Sequence, residues 1–253
     1  MVQVNTGYLY NFYFYLPNLE SVGNDWMYGC KNLKSVDFKG LSRLETVGNN
    51  WMYGCDELKK VDFTGLKSLT NVENYWMRDC KSLESIDFIE LRKLQKVGQS
   101  WMSYCNKLEN IDFKGLSSLE TVGHNWMEYC TKLKSINFTG LSNLKSVGDY
   151  WMRNLFNLKN ISFSGLSSLE TVGHNWMDHC YELENINFNG LSSLEKVGKN
   201  LIYSYGNKLT SFGIKYDKLT DLAQEEIIES INTGAKNRLE QIRLAINYNT
   251  PIS

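Results

Sequence analysis

The chain has 253 residues, with 27 Lys and Arg against 28 Asp and Glu and a formal net charge of −1. That balance excludes the basic footprint needed to neutralise a run of phosphates, so nucleic acid is not an expected partner. A hydrophobic fraction of 42% suffices for a packed core and speaks against disorder, while seven Trp, eight Met and six Cys beside only two Pro call for a reason.

The first segment, Met1 to Gly7, has neither the positive start nor the small-residue cleavage site of a secretory signal. No stretch reaches the roughly 18 apolar residues of a membrane-spanning helix. The expected location is therefore the cytoplasm by default, or the cell surface or exterior if export takes another route or the N-terminus is incomplete. Residues 8–15, YLYNFYFY, place Tyr10, Phe12 and Phe14 on one side of an alternating run. That pattern predicts a strand, and residues 1–15 are expected to cap the segment that begins at Leu16.

From Leu16 the chain repeats every 25 residues. Leu recurs at 16, 41, 66, 91, 116, 141, 166 and 191, and Val at 22, 47, 72, 97, 122, 147, 172 and 197. Trp-Met follows at 26, 51, 76, 101, 126, 151 and 176, with Cys three residues after each Met except where Leu155 stands instead. Every Trp, every Cys and every Met but Met1 therefore belongs to one repeated unit. Such a period is the signature of a solenoid, whose units bury their apolar faces only by stacking. Within a unit, Leu33, Val36 and Phe38 have the spacing of inward positions, with Ser35 and Asp37 outward. Gly23 and Gly40, with their equivalents, are expected at turns that resist a Cβ. Trp-Met-x-x-Cys has the spacing of a short helical turn. Residues 115–127 and 165–177 are the same thirteen-residue string, which points to duplication of a two-repeat block.

After Leu201-Ile202, where Trp-Met is lost, the pattern decays, and from Lys218 the period becomes helical. Leu219, Leu222, Ala223, Ile227, Ile228 and Ile231 share a face, Asp221 and Gln224 suit a capping box, and Leu239, Ile242, Ala245 and Ile246 form a second stripe. The expected organisation is a capping strand at 1–15, a solenoid of eight repeats at 16–215, and a helical hairpin cap or docking module at 216–253.

The unit Leu-x-x-Val-x-Phe resembles the opening of a leucine-rich repeat, with Leu41 and its equivalents where the consensus has Asn or Cys. Val47-Gly48-Asn49-Asn50-Trp51-Met52-Tyr53-Gly54-Cys55 resembles more closely the tail of BspA-like, Treponema-type repeats, about two residues longer per unit and with Trp-Met for Ala-Phe. The resemblance spans about Leu16 to Tyr205. It implies a right-handed superhelix with short parallel β-strands on the concave face, turns or helical turns elsewhere and a C-terminal helical cap. By function it implies a surface presented to a partner, and many such proteins look like surface or adhesion proteins. The eight in-phase repeats without a catalytic set make a non-enzymatic scaffold that binds a protein the expected function.

The repeat also defines the candidate sites. The outward strand column Asp37, Asp62, Asp87, Asp112, Asn137, Ser162 and Asn187 is the expected partner-binding strip, its four consecutive carboxylates screened by Lys39, Lys60 and Lys114. The alternative is an aromatic ladder of Trp26, Trp51, Trp76, Trp101, Trp126, Trp151 and Trp176, read as a half-buried seam, as a platform for a repeating ligand such as a polysaccharide, or as an aromatic protein-binding stripe. A third alternative is a structural protein that assembles end to end, and oligomeric state is left open. The cysteines read as a buried thiol row, since colinear rungs spread them too far for one zinc ion. His124 and His174 share a repeat position, so copying explains them, and His179 beside Cys180 is no dyad without convergence in space. No catalytic set and no cofactor motif is found. The sequons at Asn137 and Asn160 fall on predicted strands.

Overall fold

The computed structural model describes residues 11–201, together with residues 211–213, 225, 227 and 228. The chain winds as a parallel β-solenoid in which each turn advances by one 25-residue unit. Two strand columns run its length. One is a continuous eight-stranded parallel sheet of two-residue strands, from Ser21–Val22 to Lys196–Val197 in sequential order. Its register pairs each Val with the next, as Val22 with Val47 and Val147 with Val172. The other column holds Ser35–Gly40, Lys60–Asp62, Ser85–Asp87, Asn110–Asp112, Ser135–Asn137, Asn160–Ser162, Asn185–Asn187 and Ser211–Gly213, and its hydrogen bonding breaks into sheets of two or three strands. An in-register parallel stack aligns identical residues by construction, so every core position becomes a column.

The interior is made of such columns. From Leu33 onward, the Leu residues at 33, 41 and 44 and their equivalents through Leu194 are closed to solvent, as are the Phe residues from Phe38 to Phe188. Successive Phe rings from Phe38 onward lie 5.3 to 5.9 Å apart. At the N-terminal end the strand Asn11–Tyr15 pairs in parallel with Ser35–Gly40. Phe14 sits 5.1 Å from Trp26 and 6.2 Å from Phe38, adding one more aromatic layer over the first turn.

The turn sequences explain two recurring residue choices. Gly115 has φ +105°, and a Cβ there would lie 2.3 Å from the carbonyl oxygen of Phe88 on the preceding turn; both facts require glycine. The Trp-Met segment departs from its expected helical turn. Met27, Met52, Met77, Met102, Met127, Met152 and Met177 all have φ between 54° and 61°, and the residue before each Trp is left-handed too. Alternating backbone hand turns successive peptide groups up and down the stack. Thus the Met52 N–H donates to the Trp26 carbonyl below (3.1 Å) and the Asn50 N–H to the Asn74 carbonyl above (2.8 Å). A left-handed L-residue costs about 1–2 kcal/mol, and bonds to both neighbouring turns hold it in place.

The expected C-terminal hairpin falls mostly outside the described residues; of it, Glu225, Ile227 and Ile228 are helical and Ile227 is buried. Met1 to Tyr10 also lie outside them. No helix among the described residues is long and apolar enough to cross a membrane.

Candidate functional site

The three-residue strands from Lys60–Asp62 to Asn185–Asn187 each set two outward residues either side of one inward residue, as in Asn110–Asp112, where Ile111 is buried and its neighbours are exposed. The expected strip residues occupy the second outward place. Their side chains also have a local task. Asp37, Asp62, Asp87 and Asp112 each accept the backbone N–H two residues on, at 2.8 to 3.0 Å, and Asn137 and Asn187 do the same at 3.1 and 3.0 Å. Ser162 makes the equivalent contact with its hydroxyl at 3.4 Å. The change from Asp to Asn to Ser along the column is thus a change of charge with the acceptor kept. At Asp62 the Thr64 hydroxyl also donates to the carboxylate, and this bond leads in holding its pKa below the usual carboxylate range.

The strip is not flat. A recess of about 380 Å³ opens over its middle, lined by Lys60, Ser85, Ile86, Asp87, Ile89, Asp112 and Lys114. Two strip carboxylates, two ammonium groups and an isoleucine pair meet there. Asp37 lies 3.7 Å from the ammonium of Lys39, an exposed pair that adds little to stability.

The Trp column is a correction to its expected exposure. Trp51, Trp76, Trp101, Trp126, Trp151 and Trp176 are 0% exposed and Trp26 is 5% exposed, so the column is core, and neither a half-buried seam nor a platform. Neighbouring indoles stack at 5.0 to 5.5 Å, within 11° of parallel. They also meet the Phe column inside the core, as where Trp101 meets Phe88 edge-on at 5.6 Å. The left-handed Met beside each Trp turns the ring inward, which spacing alone does not reveal.

The exposed aromatic surface belongs to tyrosine. Tyr28, 52% exposed, stacks with Tyr53 at 5.2 Å. The Arg78 guanidinium lies 5.7 Å from the Tyr75 ring and 5.1 Å from the Tyr104 ring. Asp25, Tyr28, Asn50, Tyr53, Tyr75 and Arg78 line an open groove of about 660 Å³, and Asn50 donates to Asp25 at 2.8 Å. Sequence reasoning missed this groove because its residues fall at the variable positions around Trp-Met. The available signal was Tyr-Gly-Cys after Trp-Met in the first two repeats, Tyr28-Gly29-Cys30 and Tyr53-Gly54-Cys55.

The cysteines are reduced and buried. Cys55, Cys80, Cys105, Cys130 and Cys180 each point the thiol at the carbonyl of the Met on the preceding turn, at 3.1 to 3.5 Å. Contact with the thiols of Cys30 and Cys80, then burial, pushes Cys55 well up; contact with Cys130, then burial, does the same at Cys105. Burial takes Cys180 to about 12. Such thiols are poor nucleophiles at neutral pH. Among the described residues no three His, Cys, Asp or Glu side chains converge in a way that could hold a metal ion.

The leucine-rich consensus position Leu41 is buried core, but a polar side-chain ladder exists elsewhere, one residue after the recurring Gly. Asn24 accepts the N–H of Asn49 at 2.9 Å, Asn49 that of Asn74 at 3.2 Å, and Asn74 that of Gln99 at 3.0 Å. Further along, His124 Nδ1 accepts the Asp149 N–H at 2.9 Å, Asp149 accepts that of His174 at 2.7 Å, and His174 Nδ1 accepts that of Lys199 at 2.9 Å. His179 instead faces Asp178, with Nδ1 at 2.7 Å from its carboxylate, and the Cys180 thiol turns away to the Met152 carbonyl.

The profile of the BspA-type leucine-rich repeat region matches the chain in six copies, over residues 6–118 and 95–233. Among solved structures the chain is similar to a leucine-rich repeat protein of T. pallidum, at 20% identity over 83% of this chain and 76% of that one, with a TM-score of 0.47. It is similar to a leucine-rich repeat protein from Bacteroides ovatus at 22% identity, covering 74% of this chain and 61% of that one, with a TM-score of 0.36. A leucine-rich cell surface protein from Faecalibacterium prausnitzii is 12% identical over 84% of this chain and 71% of its own length, with a TM-score of 0.47. No curated protein matches.

Proposed function

Because the chain belongs to the BspA-type leucine-rich repeat family, we propose that it is a non-enzymatic scaffold that takes hold of a protein partner on its broken strand column. The observation that carries this reading is the recess where Asp87 and Asp112 meet Lys60 and Lys114 over Ile86 and Ile89. Charges of both signs around an apolar floor suit a protein surface better than a single small ion. The outward residues flank a buried one on strands that each pair with one neighbour, Ser85–Asp87 with Lys60–Asp62 and Asn110–Asp112 with Ser135–Asn137, so they can vary without disturbing the core. The test replaces Asp62, Asp87 and Asp112 together by Asn, which keeps each turn-capping acceptor and removes three charges. Capture of the native partner from source-cell lysate should fall at least about tenfold, by analogy with loss of interfacial charge pairs, with an unchanged circular dichroism spectrum. Equal capture by both proteins overturns the assignment to this face.

A second reading rests on the tyrosine groove. Aromatic edges, the Asp25–Asn50 pair and the Arg78 guanidinium together offer apolar contact and hydrogen bonding without net charge, which suits a neutral saccharide. Here the expected polysaccharide contact moves from the Trp column to Tyr28, Tyr53 and Tyr75. Titration with maltohexaose, cellohexaose and mannohexaose, followed by calorimetry, should detect binding that is lost when Tyr28 and Tyr53 are both replaced by Ala. No heat with any of the three removes this reading.

A further inference from the structure

We infer that the contact between the last two rungs at His174 is an acid-sensitive clamp built into the polar ladder. In the first three rungs the acceptor is an Asn amide oxygen, which accepts at any pH. At His174 it is Nδ1 of an exposed imidazole, taking the backbone N–H of Lys199 at 2.9 Å. That bond exists only for the neutral ring with its hydrogen on Nε2. Imidazole is the side chain that takes up a proton between about pH 5 and 8. A proton on Nδ1 turns the acceptor into a donor aimed at another donor.

The charged groups on the two flanking rungs decide which histidine responds. On the preceding rung Asp149 spends one oxygen on the backbone N–H of His174, at 2.7 Å. Its other oxygen lies 3.3 Å from Nδ1 of His124. A protonated His124 therefore loses its bond to the Asp149 N–H but gains an ion pair with the same residue. For His174 the residue in that place is Lys199, which supplies no carboxylate, and Asp149 is already engaged by the His174 N–H. The two histidines occupy equivalent places in the duplicated string, yet the residues they bond on the next rung, Asp149 and Lys199, leave only His124 with a compensating ion pair.

The docked rung requires His174 Nδ1 free to accept, so protons favour the undocked chain and acid weakens the clamp. Other bonds between these rungs remain, among them Gly198 N–H to Val172 O at 2.9 Å and Asn175 N–H to Lys199 O at 2.9 Å. Acid therefore loosens the C-terminal rung without unwinding the solenoid.

The test is amide hydrogen exchange at Lys199 in the full chain at pH 7.5 and 5.0, corrected for the intrinsic pH dependence of exchange. Wild-type protection should fall about five- to tenfold on acidification, the scale of one lost hydrogen bond. His174→Asn, which copies the acceptor of Asn24, Asn49 and Asn74, should keep its protection. His124→Asn should behave as wild type. Circular dichroism at pH 7.5 establishes that each variant folds, and His174→Gln serves as a second non-titrating acceptor. Undiminished protection of Lys199 in the wild type at pH 5.0 overturns the clamp, as does an equal loss in wild type and both His174 variants.

Discussion

At the scale of single residues, the strip positions carry two tasks that a sequence pattern merges. Asp62 looks like a displayed charge, yet its first oxygen closes the turn to Thr64 through both the backbone N–H and the hydroxyl. Asp62→Ala is expected to cost about 0.5–1.5 kcal/mol, the net worth of such hydrogen bonds, while Asp62→Asn costs less than half of that. Because those contacts lower the folded-state pKa, the stabilisation is present above the unfolded carboxylate pKa and is lost as pH falls through the folded value. Thermal melts of the three proteins at pH 7 and at pH 2.5 measure both effects; the gap between wild type and Asp62→Ala should narrow at the lower pH. The alternation of Ser35, Val36 and Asp37 was legible in the sequence because a strand has period two. The capping role was not, since it depends on the chain turning back within two residues.

At the scale of elements, the Trp-Met segment shows how a turn decides the fate of its neighbours. Its spacing reads as a helical turn, but the left-handed Met places Trp inside and spares the Tyr and Arg residues for the surface. The stacked indoles gain roughly 0.5–1.5 kcal/mol per pair beyond area burial. Against this, the indole N–H groups of the six Trp from Trp51 to Trp176 are buried with no acceptor, which costs free energy in a low-dielectric core. Trp101→Ala should therefore lower stability by about 3–5 kcal/mol. Trp101→Phe keeps a ring in the stack and removes one unmet donor, so it should cost markedly less than Trp101→Ala, the remaining loss coming from the smaller ring's cavity. Urea unfolding of both variants checks this, and equal losses would show that ring stacking contributes little.

At the scale of the whole molecule, each rung touches only the rung before and the rung after, so stability is a sum of nearest-neighbour terms and the ends open first. The six thiols report this directly. Pulsed alkylation with mass spectrometry should find all six on the order of 10³-fold slower than in the unfolded chain, with Cys30 and Cys180 reacting before Cys80 and Cys105 as urea rises. Simultaneous reaction of all six would mean that the solenoid unfolds as one unit. The sequence by itself determined the 25-residue period, the parallel stack, the buried thiol row and the family, because in a solenoid every apolar position recurs and its columns follow from counting. Only the tertiary structure decided that the Trp residues are core, that the exposed aromatic groove belongs to Tyr28, Tyr53 and Tyr75, and that His124 and His174 bond the next rung. Those facts depend on backbone hand and on the residue one turn away, and a periodic pattern records neither.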